Sequence, residues 1–97
     1  MESEVSPPEA AGTDATLVDV RTSEEWAEGH LPGAVHVPLP ELQERAAEIP
    51  DGPVVFYCRA GDRSSMAAEA FRVSGRDAAS LAGGVEAWQA DGRPLDS

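Results

Sequence analysis

The sequence predicts an α/β protein in which a central parallel sheet is covered by helices. Short apolar runs alternate repeatedly with stretches of helical periodicity, and turn residues separate them. The runs are nearly continuous in apolar and β-branched residues, which suits strands that are buried on both faces. Such alternation indicates parallel strands joined by right-handed crossovers. A chain of 97 residues without an internal repeat or linker is expected to form one domain.

The first segment, residues 1–14, is rich in proline and acidic residues. This composition predicts a flexible N-terminus or a short edge strand around Val5, with a helical turn after Pro7. Residues 15–97 form the predicted single domain.

The domain is expected to begin with a strand over residues 15–20, a short apolar run. The four residues from Thr22 to Glu25 then fit a capping box, in which Thr22 caps a short helix. We expect Trp26 to anchor this helix in the core, and Gly29 to help end it.

A second strand is expected over residues 34–37, with His36 facing outward, and prolines follow it. Residues 41–49 are typical of an amphipathic helix, because apolar residues recur on one side. That side is formed by Leu42, Ala46 and Ile49. Turn residues 50–53 then end the helix.

The C-terminal half contains the most apolar strand, residues 54–57, followed by a polar loop that starts with Cys58. We predict a helix from Ser65 to about Ser74. Its expected apolar face consists of Met66, Ala67, Ala70, Phe71 and Val73. A weaker strand over residues 78–82 and a short helix over residues 85–90 complete the pattern, with Trp88 in the core.

Composition excludes several functional classes. The net charge is −11, and all seven basic residues are arginines, which argues against a nucleic acid partner. No apolar run approaches the roughly 20 residues that cross a bilayer. The first residues have no apolar core of a signal peptide, and a single cysteine cannot form an internal disulfide. A cytoplasmic protein that binds no membrane is expected.

The surroundings of the only cysteine, Cys58, indicate chemistry. A free cysteine is often simply a core residue. Here, however, the thiol lies between a buried strand and a helix N-terminus, where ligands and anions bind. Gly61 allows the backbone N–H groups to turn inward, and Arg59 and Arg63 can bind an oxyanion. These groups would lower the pKa of the thiol and hold an anionic substrate against it.

The spacing of this loop distinguishes between two reactions. A tyrosine phosphatase signature has a cysteine, five residues and then an arginine, but Ser64 stands at that position and Arg63 comes one residue early. The shorter loop favours sulfur transfer over phosphoryl transfer.

Three blocks, in this order, resemble a single-domain rhodanese over about residues 15–95. They are Leu17-Val18-Asp19-Val20-Arg21 with Glu25-Trp26 and Gly29-His30-Leu31-Pro32-Gly33-Ala34; Tyr57-Cys58-Arg59-Ala60-Gly61-Asp62-Arg63-Ser64; and Gly83-Gly84-Val85-Glu86-Ala87-Trp88 with Gly92 and Pro94. The resemblance implies a compact domain with a parallel sheet of about five strands and helices on both faces.

The resemblance also implies a mechanism that needs neither metal nor organic cofactor. The Cys58 thiolate would attack the outer sulfur of a donor such as thiosulfate, and sulfite would leave. Cyanide or a thiol would then take the sulfur from the resulting persulfide. The active loop would run from Cys58 to Arg63, with backbone N–H groups of residues 59–63 stabilising the persulfide.

Within this loop Cys58 is the expected catalytic residue. The expected substrate-binding cradle consists of Arg59, Ala60, Gly61, Asp62, Arg63 and Ser64. Asp62 departs from the usual pattern. We expect it to pair with one of the two arginines or to cap the next helix, and to weaken thiosulfate binding. Ser64 either donates its hydroxyl to the sulfur or caps the helix.

Asp19, Arg21 and His30 are expected to support the site. Asp19 would bind neighbouring backbone N–H groups, and Arg21 would pair with a helix carboxylate. An ionised thiolate needs no general base, so His30 is expected to hold a loop in place.

The leading hypothesis is therefore a sulfurtransferase with a small anionic sulfur donor and a thiol or cyanide acceptor. A persulfide carrier or binding module that delivers sulfur to a protein partner remains an alternative. A phosphatase or an enzyme like arsenate reductase is disfavoured by the loop length. A monomer or weak homodimer is expected.

Overall fold

Five parallel strands form the centre of the fold, in the order β1-β5-β4-β2-β3. A computed structural model describes residues 2–97; Met1, the first residue of the predicted flexible segment, lies outside the described residues. The strands are β1 (Glu4–Val5), β2 (Thr16–Asp19), β3 (Val35–His36), β4 (Val54–Tyr57) and β5 (Ala78–Leu81). The helices are α1 (Pro7–Ala11), α2 (Ser23–Ala27), α3 (Leu42–Arg45), α4 (Asp62–Val73) and α5 (Gly84–Ala90).

Side chains of β4 alternate between two cores, one on each face of the sheet. Val54 and Phe56 face the core shared with α3 and α4, where Phe71 meets Phe56 edge to face at 4.8 Å between ring centroids. Val55 and Tyr57 face the core that holds residues of α1 and α5, including Trp88. The predicted parallel sheet with helices on both faces is therefore confirmed.

The register of the sheet brings the ends of two strands together. β4 lies between β2 and β5, and Asp19 pairs with Tyr57, so β2 and β4 end at the same level. The Val20 N–H donates to Tyr57 O at 3.0 Å, just beyond these strand ends. Cys58 follows the central strand β4, so it lies at the carboxyl ends of the strands, where ligands of parallel sheets bind.

The prediction of one regular helix over residues 41–49 is wrong. It is a short α3 between two 3₁₀ turns, Leu39–Glu41 and Ala46–Glu48. Arg45 adopts φ −103° and ψ 9°, which interrupts the α-helix. Its guanidinium contacts His36 O at 3.2 Å as well as the carboxylates of Glu41 and Glu48.

The expected apolar face of the helix after Cys58 is also corrected. Met66 and Val73 are 63% and 83% exposed. The buried face of α4 consists of Ser64, Ala67, Ala68 and Phe71. Ala70 is exposed as well, so the side of α4 that packs on the sheet is shifted toward Ser64 and Ala68. The helix also begins at Asp62, three residues before the expected Ser65.

Trp26 is not the core anchor that was expected. No residue of α2 is buried, although the predicted capping box between Thr22 and Glu25 is present. The Trp26 ring instead stacks on His30 at 3.6 Å and on His36 at 4.9 Å between ring centroids. The half-buried His36 bonds to Arg21 O at 2.9 Å rather than facing outward. Trp88 is 5% exposed, so its predicted core position is confirmed.

None of the helices formed by residues 2–97 is both long and apolar enough to cross a bilayer.

Candidate active site

The Cys58 sulfur is the centre of a small hydrogen-bonded cradle. The residue directly follows β4 and is 1% exposed. The Gly61 N–H donates to Sγ at 3.1 Å and the Ser64 N–H at 3.4 Å. The Ser64 Oγ also lies 3.4 Å from the sulfur. Two backbone donors and one hydroxyl therefore converge on one atom, an arrangement that stabilises negative charge.

The sulfur also takes the place of a helix cap. Gly61 is the N-cap of α4, with φ 118° and ψ −12°, and glycine has no side chain to accept from the helix. The N–H that a capping side chain would accept from is that of the third helical residue, Ser64, and here Cys58 Sγ accepts it. Negative charge is favoured at this end of the helix dipole. The positive φ of Gly61 explains why α4 starts earlier than the sequence indicated.

These contacts decide the ionisation of the thiol. Burial alone would raise the pKa of Cys58, but the hydrogen bonds from Ser64, Gly61 and Ala60 outweigh it and hold the pKa below its ordinary value. A lowered pKa increases the fraction of thiolate, which is the nucleophilic form.

The N-terminus of α5 donates hydrogen bonds to the loop that begins with Cys58. The Val85 N–H donates to Cys58 O at 2.9 Å, and the Glu86 N–H donates to Arg59 O at 3.1 Å. Gly84 makes this approach possible, because a Cβ at this position would lie 2.6 Å from Arg59 O and even closer to Cys58 O. The sequence analysis included Gly83-Gly84 in the third block of the resemblance but gave Gly84 no role at the site; two glycines directly after a predicted strand were the available signal.

Carboxylates hold both arginines of the loop. Arg63 forms a two-pronged ion pair with Glu25, at 2.7 and 2.9 Å, and Arg59 contacts Glu86 at 3.3 Å. The pair with Arg63, against the opposing effect of burial and with help from Thr22, lowers the pKa of Glu25 to about 2. Sequence reasoning missed Glu25 and Glu86 as part of the site.

The expectation for Asp62 is corrected by these pairs. Asp62 is exposed and is the first residue of α4. The carboxylates that contact Arg59 and Arg63 come from α5 and α2. Asp62 is not the cap of α4 either, because the N-cap residue is Gly61.

Asp19 and Arg21 form a buried pair, 0% and 5% exposed. As expected, Asp19 accepts from a backbone N–H, that of Arg21, at 2.8 Å. The partner of the Arg21 guanidinium is corrected. It is Asp19 itself, through Nε and Nη2, rather than a helix carboxylate, and Nη2 also donates to Gly29 O at 2.6 Å. The pair therefore ties the end of β2 to the turn after α2.

His30 joins the turn after α2 to the C-terminal residues. Its backbone N–H and C=O both bond to Asp96, each at 2.8 Å. Its ring stacks on Trp26, and Nδ1 lies 3.3 Å from Trp26 O. The contacts agree with a residue that holds a loop in place.

A cavity of about 190 Å³ lies at the loop and is lined by Cys58, Arg59, Ala60, Asp62 and Arg63. Sites for drug-sized ligands are larger, on the order of 300–1,000 Å³. The cavity is suited to a small reactant or to the tip of a larger one.

Two relatives match most of this chain. A sulfurtransferase of Allochromatium vinosum is 40% identical over 84 residues, which are 84% of this chain and 78% of that protein. An HTH-type transcriptional regulator of Mycobacterium tuberculosis is 42% identical over 87 residues, or 86% of this chain. The chain spans only 38% of the length of that regulator.

Solved structures share the fold. A rhodanese-related protein from Thermoplasma volcanium superimposes with a TM-score of 0.92 at 23% identity, over 98% of both chains. A thiosulfate sulfurtransferase from Pseudomonas aeruginosa gives a TM-score of 0.85 at 25% identity, over 98% of this chain and 19% of that one. The family model of the rhodanese-like domain matches residues 7–91 of this chain. The chain belongs to the rhodanese-like domain family.

Proposed function

We propose that the protein is a rhodanese-type sulfurtransferase that carries a sulfane sulfur on Cys58. The observation that carries the proposal is the convergence of the Gly61 N–H, the Ser64 N–H and the Ser64 hydroxyl on Cys58 Sγ. Relatives named sulfurtransferase, in Allochromatium vinosum and, putatively, in Bacillus subtilis, support an activity of this kind.

In the proposed first half-reaction the Cys58 thiolate attacks the outer sulfur of thiosulfate. The new bond joins Sγ to that sulfur, and the bond to the inner sulfur breaks, so that sulfite leaves with the electron pair. The product is a persulfide on Cys58. Its terminal sulfur carries the negative charge and enters the small cavity that Cys58 lines, where the positive N-terminal end of the α4 dipole stabilises that charge.

In the second half-reaction cyanide or a thiolate attacks the terminal sulfur. The sulfur–sulfur bond breaks, and Cys58 recovers its electron pair as the thiolate. No proton transfer is needed in the cyanide reaction, because the lowered pKa of Cys58 already favours the ionised leaving group. The covalent intermediate predicts ping-pong kinetics.

The ion pairs of the loop favour a second candidate, a persulfide carrier that exchanges sulfur with thiols or protein partners. A thiosulfate dianion is favoured by free cationic groups, but Glu25 holds Arg63 in a two-pronged ion pair. Arg59 has only a single exposed contact, through Nε to Glu86. A persulfide attached to a larger molecule carries less charge at its reactive end and depends less on these arginines. The two candidates share the persulfide on Cys58 and differ in the donor.

Intact-protein mass after incubation with a donor tests both candidates. Thiosulfate is expected to add about 32 Da, one sulfur atom, and cyanide is expected to remove it and yield thiocyanate. Cys58→Ser should gain no sulfur. Loading by glutathione persulfide but not by thiosulfate would favour the carrier. Wild-type protein that gains no sulfur from either donor would contradict the proposed function.

A further inference from the structure

Two buried serines form a chain of hydroxyls that starts at the Cys58 sulfur. Ser64 and Ser80 are 0% and 1% exposed. Ser64 Oγ lies 3.4 Å from Cys58 Sγ and 2.7 Å from Ser80 Oγ. Ser80 stands in β5 beside Phe56 of β4, so its position is set by the sheet.

The Ser64 hydroxyl has one proton and several neighbours. Gly61 O, at 3.2 Å, can only accept a hydrogen bond, and so can an ionised Cys58. The proton of Ser64 can therefore serve the carbonyl or the sulfur, but not both fully. The longer distance to the sulfur puts the sulfur at a disadvantage unless another group biases the hydroxyl.

Ser80 is placed to supply that bias. Among the described residues, the one hydrogen-bond partner of its side chain is Ser64 Oγ, at 2.7 Å. If the Ser80 proton points at Ser64 Oγ, the Ser64 proton is left for Gly61 O or the Cys58 sulfur, and the negative charge of a thiolate makes the sulfur the stronger acceptor. A donor bond into a hydroxyl also strengthens the bond that this hydroxyl donates. The chain then runs from Ser80 to Ser64 to the thiolate.

We propose that Ser80 is a positioning residue for the nucleophile, which directs the Ser64 hydroxyl toward the Cys58 sulfur when the sulfur is negatively charged. When Cys58 is a neutral thiol, the hydrogen bond between the two serines can reverse its direction, because Ser64 can then donate to Ser80. As a positioning role in sulfur transfer, the proposal rests on the proposed function, although the ionisation of Cys58 can be measured without any sulfur donor.

The other charged groups near Cys58 do not change in the test. They are Arg59, Asp62 and Arg63 of the loop and α4, Glu25 of α2, Glu86 of α5, and the pair Asp19 and Arg21 at the end of β2. Replacing Ser80 removes no charge, so a shift in thiol ionisation reports the hydroxyl chain.

The test is the pH dependence of thiolate absorbance in the ultraviolet, with the rate of alkylation by iodoacetamide as a second readout. Cys58 is the only cysteine, so both signals belong to it. Ser80→Ala is expected to raise the apparent pKa of Cys58 by roughly half a unit to one unit. Ser64→Ala is expected to raise it by roughly one to two units.

The double variant separates this role from a merely structural one. Because Ser80 acts through Ser64, adding Ser80→Ala to Ser64→Ala should cause no further shift. An unchanged profile in Ser80→Ala, or an equal shift in the Ser64→Ala background, would overturn the proposal. If Ser80→Ala does not fold, Ser80→Thr and Ser80→Val decide, since they match in volume and only Thr keeps the hydroxyl; identical profiles would again overturn it.

A failure of the proposed function gives a different result. If no donor loads sulfur onto Cys58 but the pKa shifts follow this pattern, the hydroxyl chain stands and the sulfur transfer falls.

Discussion

Replacing Glu25 by Gln should make thiosulfate a better substrate. The thiosulfate dianion competes for Arg63 with the carboxylate that accepts from both of its outer nitrogens. Gln keeps the side-chain oxygen that accepts from the Thr22 N–H, so the capping box survives the change.

The expected magnitude follows from the ionisation of Glu25. Its pKa lies at about 2 instead of 4.5, which corresponds to at most about 3.4 kcal/mol at about 1.36 kcal/mol per unit. Thr22 contributes part of this stabilisation, and Arg63 is 34% exposed, so that water screens the pair. We therefore assign about 1.5 kcal/mol of this stabilisation to the ion pair with Arg63, which corresponds to roughly a tenfold change in affinity for thiosulfate.

Steady-state formation of thiocyanate from thiosulfate and cyanide measures the effect. The KM for thiosulfate should fall about tenfold in Glu25→Gln, with kcat changed by less than about threefold. Glu24→Gln is the matched control, because it removes the same charge from a neighbouring, exposed position of α2. An unchanged KM in Glu25→Gln, or an equal fall in Glu24→Gln, would refute the release of Arg63 as the cause.

Three further predictions concern stability. Gly84→Ala should lower Tm by more than about 12 °C, because its Cβ would meet the loop carbonyls, whereas Gly33→Ala, with φ +77° and open space around it, should lower Tm by no more than about 10 °C. Tyr57→Phe should lower Tm by about 5 to 15 °C, because the Leu31 N–H that donates to its hydroxyl at 3.1 Å loses its partner; calorimetry that shows no change would contradict this. The depressed pKa of Glu25 contributes stability above about pH 4.5 that is lost as pH falls toward 2. The free energy of unfolding, measured with urea, should therefore fall more between about pH 5 and pH 3 in wild type than in Glu25→Gln.

The sequence predicts the sheet and the position of Cys58 because both follow from local patterns. Alternating periodicity identifies the strands and helices, and the position of Cys58 at the end of an apolar run places it at the edge of the sheet. The partners of Arg59 and Arg63 could not be read in this way. They lie 27 and 38 positions away in the chain, among 18 acidic residues, and only the packing of α2 and α5 selects them.

Two other misses have the same origin. The expected burial of Met66 and Val73 failed because the packing of α4 on the sheet buries the face with Ser64, Ala67, Ala68 and Phe71 instead. Ser80 gave no signal, since a serine in a weak strand is ordinary until the structure brings its hydroxyl to 2.7 Å from Ser64.

The bonds from α5 to the loop have a consequence for the newly made chain. The carbonyls of Cys58 and Arg59 are satisfied by N–H groups of Val85 and Glu86, which leave the ribosome more than two dozen residues later. Until β5 has joined the sheet and α5 has docked, the Cys58 and Arg59 carbonyls lack these two donors, and the loop around the sulfur lacks its support from α5. The final geometry of the loop around Cys58 therefore depends on residues that are synthesised late, near the C-terminal end of the domain.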